Sequence, residues 1–322
     1  MFKKILSRSA VMMATLATAT GAALGPAQAS AYAPPLSDAR IAVHFDRAQG
    51  RTPENIALAP GGDAYVTFAA GRQVAKVTPD GATKVLATLP APADGGVHTP
   101  VLGFALTTGI VRAPDATLYF LYATGTPDLT GLWRLRPGGR PQRIAALPAH
   151  GLPNGLALDA RTHTLYITDS VLGTIWRVPT RGGVPTAWST APELAPAGFL
   201  GANGLKFRGG ELWATNLDQG TVLRIPIQRD GRAGRVRTEA TGLRGIDDFA
   251  FTGHGEQLLA ALNGSSQVAL VQPDGSHSIV LSGADGLQNP TSIALSGTRV
   301  YVTSAAYLTA RDPNMLLARL TK

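Results

Sequence analysis

Cysteine is absent from the sequence. Its absence excludes disulfide bonds, thiolate chemistry and a lipid anchor attached to cysteine. Basic residues are mostly scattered; the densest group comprises Arg134, Arg136, Arg140 and Arg143. No basic run has the interleaved aromatic residues that are typical of a surface following a phosphate backbone. We interpret the basic residues as a solvated surface and expect no nucleic-acid partner.

Motifs of several other function classes are also missing. The sequence contains no Gly-x-Ser-x-Gly elbow, so it offers no visible serine hydrolase nucleophile. A phosphate-cradling glycine loop is absent as well. No long window after the N-terminal region has a strong helical period. Short segments rich in β-branched and aromatic residues, bounded by Gly, Asp or Pro, instead predict an all-β fold.

The N-terminal segment has the layout of a secretory signal peptide. A basic start at Lys3, Lys4 and Arg8 precedes an uncharged, apolar-leaning stretch over residues 10–24, and Ala27–Ala29 forms a small-x-small cleavage site. We predict a signal peptide over residues 1–29 and an exported, periplasmic or secreted, domain over residues 30–322. Removing the leader lowers the formal net charge from +8 to +5. A retained anchor helix is the less favoured alternative, and we expect no membrane insertion after cleavage.

An internal repeat predicts the architecture of that domain. Six hexapeptides share an apolar or small first residue and an apolar fourth residue: Pro53–Leu58, Val101–Leu106, Pro153–Leu158, Ala202–Phe207, Ile246–Phe251 and Pro290–Leu295. Most of them are followed by further short strands. Six units of four strands predict a six-bladed β-propeller around a central channel. A β-sandwich is the alternative fold, but it does not explain a sixfold repeat.

The C-terminal repeat has too few strands to complete a blade. After Thr303 only residues 315–320 form a clear further strand. Residues 39–45 precede the first repeat and have a strand-like pattern. We therefore predict that this N-terminal strand completes the last blade and closes the ring.

The second residues of the six hexapeptides predict a ring that faces the channel: Glu54, Leu102, Asn154, Asn203, Asp247 and Thr291. Four of these residues carry oxygen donors that suit a hard divalent cation, most simply calcium. Without cysteine, and with no histidine in the ring, a zinc site is disfavoured. We predict one divalent cation on Glu54, Asn154, Asn203 and Asp247. The alternative for each Asn-Gly pair is ordinary turn chemistry, which does not account for the two carboxylates.

The four ligand positions, together with residues 152–159 and 165–169, resemble the gluconolactonase and luciferin-regenerating-enzyme-like superfamily, which includes senescence marker protein 30. The resemblance extends from about Glu54 to Leu320. It implies a six-bladed propeller with a catalytic calcium or similar ion that hydrolyses lactones or phosphoesters. Leu102 and Thr291 depart from the family pattern. Leu102 replaces a polar residue that binds substrate in sugar lactonases, so we expect a less polar substrate.

Further residues are candidates for the substrate pocket. His98 and His150 each lie four residues before a predicted ring position, and either could shuttle a proton, although surface histidines are the alternative. Asp169, Asn216, Asn263 and Ser304 end the second strands of their blades. We expect their turns on the face opposite the ring unless the strand order folds back, and keep them as rim candidates with Leu102 and Thr291.

These features predict a metal-dependent hydrolase of a lactone or related ester with a small-molecule substrate. Asp247 is the candidate catalytic residue, as a base on water or as a direct nucleophile. Asp248 is a candidate for a second structural cation, with a hydrogen-bonded carboxylate as the alternative. We expect a monomer. An exported binding or scaffold propeller without catalysis is the alternative function. A virginiamycin-B-type lyase is disfavoured because it needs seven blades and a catalytic histidine.

Overall fold

The structure is a computed structural model that describes residues 35–93 and 98–321. The predicted signal peptide lies outside the described residues. Within them we find no helix that is long and apolar enough to span a membrane. The helical segments of this part of the chain are three 3-10 turns, at Arg47–Gln49, Pro192–Leu194 and Gly283–Asp285.

Twenty-four strands form six four-stranded antiparallel sheets in the described residues. Blade one contains β2 (Pro53–Leu58), β3 (Ala64–Phe68), β4 (Gln73–Val77) and β5 (Thr83–Thr88). Blade two contains β6 (Leu106–Arg112), β7 (Leu118–Ala123), β8 (Gly131–Leu135) and β9 (Gln142–Ala146). Blade three contains β10 (Pro153–Asp159), β11 (Thr164–Asp169), β12 (Thr174–Pro179) and β13 (Thr186–Ser189).

The remaining sheets follow the same order from the first to the fourth strand. Blade four contains β14 (Ala202–Arg208), β15 (Glu211–Asn216), β16 (Thr221–Pro226) and β17 (Arg237–Ala240). Blade five contains β18 (Ile246–Phe251), β19 (Leu258–Leu262), β20 (Gln267–Val271) and β21 (His277–Leu281). Blade six contains β22 (Pro290–Ser296), β23 (Arg299–Ser304), β24 (Asn314–Leu320) and the N-terminal β1 (Leu36–His44). The prediction of a six-bladed propeller with four-stranded blades is confirmed.

The fourth strand of blade six comes from the opposite end of the described chain. Strand β1 runs antiparallel to β24, with Leu36 opposite Leu320 and His44 opposite Asn314. Pairing the two ends ties the first blade to the last, because the connection from β1 leads directly into β2. A circular array of sheets is closed in this way without a free edge at the start of the chain.

Packing between neighbouring sheets buries the inner strands of each blade. The second strands β7 and β19 are buried along their whole length, because each lies between two neighbouring blades. The outermost strands are more exposed, as in β13, whose residues are all partly or fully exposed. Hydrophobic clusters therefore lie between adjacent blades and hold the inner strands, with their polar ends, in fixed positions around the channel.

The predicted alignment of the second repeat is wrong. The hexapeptide Val101–Leu106 lies almost entirely before β6 and does not form its inner end. In blade two the pairing register of the first and second strands shifts between Thr107 and Ile110. In blade three the corresponding shift lies between Pro153 and Leu156. Aligning these two features shifts the second repeat by six residues.

The corrected ring residue in blade two is Thr108, where the sequence predicted Leu102. A hydrogen bond between blades supports this register, because the Thr67 hydroxyl donates to the carbonyl oxygen of Thr108 at 2.7 Å. The same bond recurs from the Thr215 hydroxyl to the carbonyl oxygen of Asp247, also at 2.7 Å. The error arose because Thr108 carries no ligand-type side chain, whereas the preceding loop contains an apolar hexapeptide that imitates the repeat.

Glycine follows the ring residue in blades two and three because the neighbouring blade leaves no room for a side chain. A Cβ atom at Gly109 would overlap the carbonyl oxygen of Asn154, and one at Gly155 would overlap that of Asn203. The inner strands therefore approach one another closely where the ring is formed. This close approach brings ring side chains from different blades into one site.

Candidate functional site

A cavity of about 580 Å³ lies at the end of the channel where the first strands of the blades begin. The predicted ligand residues Glu54, Asn154, Asn203 and Asp247 all line this cavity. All four are at least nine-tenths buried. Each comes from a different blade, the first, third, fourth and fifth. The propeller thus gathers two carboxylates and two amides at one place that no single strand provides.

The other two ring residues use their hydroxyls within the fold. Thr108 donates to the carbonyl oxygen of Pro153 at 2.8 Å, and Thr291 donates to the carbonyl oxygen of Pro53 at 2.8 Å. Both bonds link one blade to the next. Neither threonine is among the residues that line the cavity. Thr291, a predicted pocket residue, therefore has a structural role.

The amide of Asn154 is oriented by a short chain of hydrogen bonds. The Ser170 hydroxyl donates its proton to the carbonyl oxygen of Ala202 at 2.7 Å. The same hydroxyl can then only accept from Asn154, whose Nδ2 lies 3.1 Å from Ser170 Oγ. Because the nitrogen is held there, the amide oxygen of Asn154 is the end that remains available as a ligand.

Asp247 is a buried carboxylate that has polar neighbours but no cationic partner in the described residues. Asn263 Nδ2 lies 3.2 Å from Asp247 Oδ2, and the Asn203 side chain also hydrogen-bonds to this carboxylate. Burial raises the pKa of Asp247 well above its usual value, and the nearby negative charges of Glu54 and Asp248 raise it further. A cation at this position would relieve both effects.

Glu54 is held by a tyrosine that the sequence analysis did not identify. The hydroxyl of Tyr307 donates to Glu54 Oε2 at 2.5 Å. Burial raises the pKa of Glu54 to about 7, an effect that the Tyr307 hydrogen bond opposes. Burial, followed by the charge of Glu54, raises the pKa of Tyr307 itself well above 10.0. Tyr307 is therefore a neutral donor that fixes one oxygen of Glu54 and leaves the other for a ligand.

Asp248 lies next to Asp247 on β18, but one of its carboxylate oxygens, Oδ2, has several partners within the protein, whereas the buried Oδ1 has no hydrogen-bond partner in the described residues. Its Oδ2 atom forms an ion pair with Lys206 Nζ at 2.6 Å. The same oxygen accepts from Ser292 Oγ at 2.5 Å and from Asn55 Nδ2 at 3.2 Å. This cluster links blades one, four, five and six. Because a protein ammonium already neutralises Asp248, the hydrogen-bonded interpretation is favoured over a second structural cation.

The turns after the second strands lie beside the ring, contrary to the expectation that they would lie on the opposite face. In antiparallel hairpins the end of the second strand pairs with the start of the first, as Pro153 pairs with Asp169 and Pro290 pairs with Ser304. Asn263 follows β19 and reaches Asp247 for this reason. The same geometry places Tyr307, three residues after Ser304, against Glu54. Correct strand direction would have placed the connection that contains Tyr307 beside the ring, although it would not have singled out this residue.

Most other predicted pocket residues have structural roles. Asp169 accepts from the backbone nitrogens of Leu152 at 2.8 Å and Leu172 at 3.0 Å, and burial raises its pKa. Asn216 donates to two backbone carbonyls, each at 2.9 Å. Ser304 accepts from a backbone nitrogen at 3.2 Å. None of the three lines the cavity.

Of the eight predicted pocket residues, two line the cavity, Leu102 and Asn263. Leu102 contributes to its wall although it lies outside the ring. His98 and His150 are exposed and are not among the lining residues. The described lining therefore includes no histidine that would act as a proton shuttle.

The donor set fits a hard divalent cation. Two carboxylates and two amide oxygens would supply oxygen ligands and a charge of −2, which suits calcium. Within the described residues, no group of three or more His, Cys, Asp or Glu side chains is positioned to hold a metal. The fit therefore depends on the amides of Asn154 and Asn203 as well as on the two acids.

The solved structures that are similar to this chain come from proteins with different functions. The chain is similar to the calcium-binding protein regucalcin from Agrobacterium tumefaciens, with a TM-score of 0.64, 17% identity and coverage of 89% of this chain and 96% of that chain. For a gluconolactonase from Xanthomonas campestris the TM-score is 0.62 and the identity 16%, with the same coverage. The fold is that of the family the sequence resembles.

A third similar structure is an inactive variant of virginiamycin B lyase from Staphylococcus aureus with quinupristin. Its TM-score is 0.60 and its identity 16%, and the match covers 84% of this chain and 82% of that chain. No protein-family model matches the sequence, and no curated protein does. At these identities the similarity establishes the fold, and the function must be argued from the site.

Proposed function

We propose that this protein is an exported hydrolase of a lactone or related ester that depends on one divalent cation, most simply calcium. One observation carries the proposal: two buried carboxylates and two amides from four blades converge on the floor of one cavity. Buried carboxylates without a cationic partner are costly unless an ion binds them. Gluconolactonase and calcium-binding regucalcin structures with the same fold support the assignment.

The residues of this chain would divide the work as follows. Glu54, Asn154 and Asn203 hold and position the ion, and Tyr307 orients Glu54. At this position calcium would supply Lewis acidity toward a carbonyl oxygen. Asp247, oriented by Asn263, acts as the base on water or as a direct nucleophile.

Hydrolysis adds one water across the bond between the acyl carbon and the ring oxygen. With Asp247 as the base, its carboxylate accepts a proton from the attacking water as the oxygen bonds to the acyl carbon. The ring oxygen leaves with the bonding pair and takes up the proton that Asp247 accepted, so a hydroxy acid is formed and the carboxylate is regenerated. With Asp247 as the nucleophile, water releases the acyl group in a second step. The two routes share the same residues.

The test is hydrolysis of a panel of lactones and aryl esters by the mature protein, with calcium and with a chelator. We expect chelation to abolish turnover and Asp247→Asn to lower kcat/KM by at least about 100-fold while the fold is kept. Asp274→Asn is the matched control, because Asp274 lies in the outer turn between β20 and β21 and does not line the cavity. Full activity of Asp247→Asn would reject the assignment.

A binding or scaffold propeller without catalysis is the second candidate. It is favoured by the lack, among the described residues, of a cluster of three acidic or histidine side chains that could hold a metal. The nidogen/laminin complex, another similar structure with a TM-score of 0.57, contains this fold in a protein assembly. Absence of both turnover and calcium binding would favour this candidate.

Export is tested separately. If residues 1–29 are a signal peptide, the protein recovered from outside the cytoplasm begins at Ser30, which N-terminal sequencing or intact mass determines. Recovery of an uncleaved protein in the membrane fraction would support the retained anchor instead.

A further inference from the structure

The walls of the cavity differ sharply in chemistry from its floor. Above the polar ring, the cavity is lined mainly by apolar side chains, among them Leu102, Phe104, Phe199, Leu200, Leu217 and Leu308. The polar lining groups are the ring residues, the neighbouring side chains of Thr52 and Asn263, Tyr307, whose hydroxyl is used on Glu54, and one exposed cation, Arg47. The cavity therefore offers one polar end and a mainly apolar body, with Arg47 as the one charged side chain of the described lining outside the ring.

The apolar character continues onto the exposed mouth of the cavity. Phe199 is 46% exposed and Leu308 is 73% exposed, although both line the cavity. Val101, next to the wall residue Leu102, is 56% exposed. Among the described residues only Val184 and Ile279 are other large hydrophobic side chains with comparable exposure. Exposed apolar side chains that cluster at a cavity mouth are typical of a ligand-binding surface.

Buried or partly buried polar side chains hold these exposed residues in place. Both Ala197 and Phe199 donate their backbone N–H to Asp218 Oδ2, at 2.7 and 2.8 Å. On the other side, the backbone N–H of Leu308 donates to Asn289 Oδ1 at 2.9 Å. Asn289 is 1% exposed and is therefore fixed by the core. The loops thus present Phe199 and Leu308 at the mouth by specific hydrogen bonds.

A polyhydroxylated ligand does not suit such walls. Each hydroxyl that leaves water without a new partner lowers the affinity. An alkyl or aryl group would instead bury apolar surface on both sides. This argument uses the lining residues alone and does not depend on what occupies the ring.

We propose that the ligand of this cavity has one carbonyl-bearing polar end and an alkyl or aryl body, and that its substrate is an alkyl- or aryl-substituted lactone or ester. The assignment as a substrate rests on the proposed function; the assignment of the ligand class does not. The carbonyl lies at the ring, and the apolar body lies between Phe104, Phe199 and Leu308.

Binding of unreactive analogues tests the ligand class. The probes are δ-lactams with alkyl chains of increasing length and a polyhydroxylated δ-lactam, titrated calorimetrically into the full mature protein with and without calcium. We expect Kd to fall about fourfold for each added methylene until the chain reaches the mouth. The polyhydroxylated δ-lactam should bind more weakly than the δ-lactam that carries a butyl chain.

Variants locate the effect at the mouth. Phe199→Ser and Leu308→Ser should each reduce the dependence of Kd on chain length. Val184→Ser is the matched control, because Val184 is 86% exposed and does not line the cavity. A Kd that is independent of chain length, or an equal effect of all three variants, would overturn the proposal.

Turnover of the corresponding lactones separates the two proposals. Chain-dependent lactam binding without hydrolysis of any lactone would support the ligand class and reject the hydrolase. A higher kcat/KM for the polyhydroxylated lactone than for the alkyl lactones would support the hydrolase and overturn the apolar substrate.

Discussion

Asp247 and Asp248 are adjacent on β18, yet they have opposite electrostatic environments. Asp248 is 1% exposed and pairs with Lys206 at 2.6 Å. Asp247 is 7% exposed, and its hydrogen-bonding partners are the neutral amides of Asn203 and Asn263. The ammonium of Lys206 neutralises Asp248, whereas Asp247 has a second acid, Glu54, nearby.

This difference separates the proposed cation site at Asp247 from the ion-paired carboxylate of Asp248. At Asp248 the ammonium, a serine hydroxyl and an asparagine amide together form a permanent link between blades. At the cavity floor the fold concentrates negative charge and leaves it without an internal cation among the described residues. A structural site and a candidate functional site thus occupy successive residues of one strand. The following variants test whether they can be separated.

The largest effect is expected from Lys206→Met, which leaves Asp248 buried without its cation. The Lys206 side chain is 27% exposed, but that of Asp248 is only 2% exposed, so the carboxylate is the buried partner. Leaving it without a cation costs about 3 kcal/mol of unfolding free energy, which corresponds to a fall in Tm of roughly 6 to 12 °C for a domain of this size. Differential scanning calorimetry measures the change. If the Asp248 cluster and the cavity floor are separate sites, calcium should raise the Tm of this variant by as much as it raises that of the unaltered protein.

Lys76→Met is the matched control. Lys76 pairs with Asp63 at 2.6 Å, but the two side chains are 33% and 25% exposed. Because both partners of this pair remain partly accessible to solvent, it contributes at most about 1 kcal/mol, and its loss should change Tm by only a few degrees. Equal falls in Tm for the two variants would contradict the claim that Lys206 neutralises a buried carboxylate.

The next effect is a dependence of stability on pH. Without a cation, the folded pKa of Glu54 rises from 4.5 to about 7. The folded state therefore binds more protons than the unfolded state in this window, and stability is lost as the pH rises through it. Calcium requires the deprotonated carboxylates and should reverse the trend.

Thermal melts between about pH 5 and 8, in chelator and in calcium, measure this linkage. We expect Tm to fall with rising pH in chelator and the calcium-induced increase to grow. A calcium effect that is constant across the window would show that Glu54 does not couple to the ion.

A smaller effect is expected for Tyr307→Phe. The variant removes the donor to Glu54 but keeps the aromatic ring, whose centroid lies 6.4 Å from that of Phe104. Losing this orienting bond, worth about 1 kcal/mol, should weaken calcium binding about fivefold. Calcium titration at neutral pH is the measurement. Tyr122→Phe, which loses a bond of 2.6 Å to the Pro90 carbonyl away from the site, should leave the affinity unchanged.

The smallest effect is expected for Thr108→Val. Its hydroxyl bonds the Pro153 carbonyl at 2.8 Å and does not face the cavity. We expect a loss of about 1 kcal/mol in unfolding free energy without a change in calcium affinity. Weaker calcium binding in this variant would mean that the second blade contributes a ligand after all.

The fold and the four residues that meet at the cavity floor could be predicted because they repeat. Each blade solves the same packing problem, so the apolar pattern and the residue at the strand start recur at similar spacing. The second blade was misaligned because its ring residue, Thr108, bonds a backbone carbonyl and has no ligand-type side chain. A loop hexapeptide ending at Leu106 then matched the pattern better.

Features that belong to single loops could not be predicted from the repeat. Tyr307 lies in the connection between β23 and β24 of blade six, and it meets Glu54 of blade one across 253 positions of sequence. The pairing of Lys206 with Asp248 likewise depends on the close approach of two blades, which is a property of the assembled ring. Neither contact leaves a local signal in the sequence.

The measurement that tests the central claim most directly is calcium binding by the mature protein beside a Glu54→Gln/Asp247→Asn double variant. Calcium content after dialysis gives the stoichiometry, and thermal melts give the linked stabilisation. We expect one ion per chain and, at a calcium concentration about 100-fold above Kd, a rise in Tm of roughly 5 to 10 °C. Both should be lost in the double variant. A protein that holds no calcium and melts at the same temperature with and without it would contradict the cation site, and with it the proposed hydrolase.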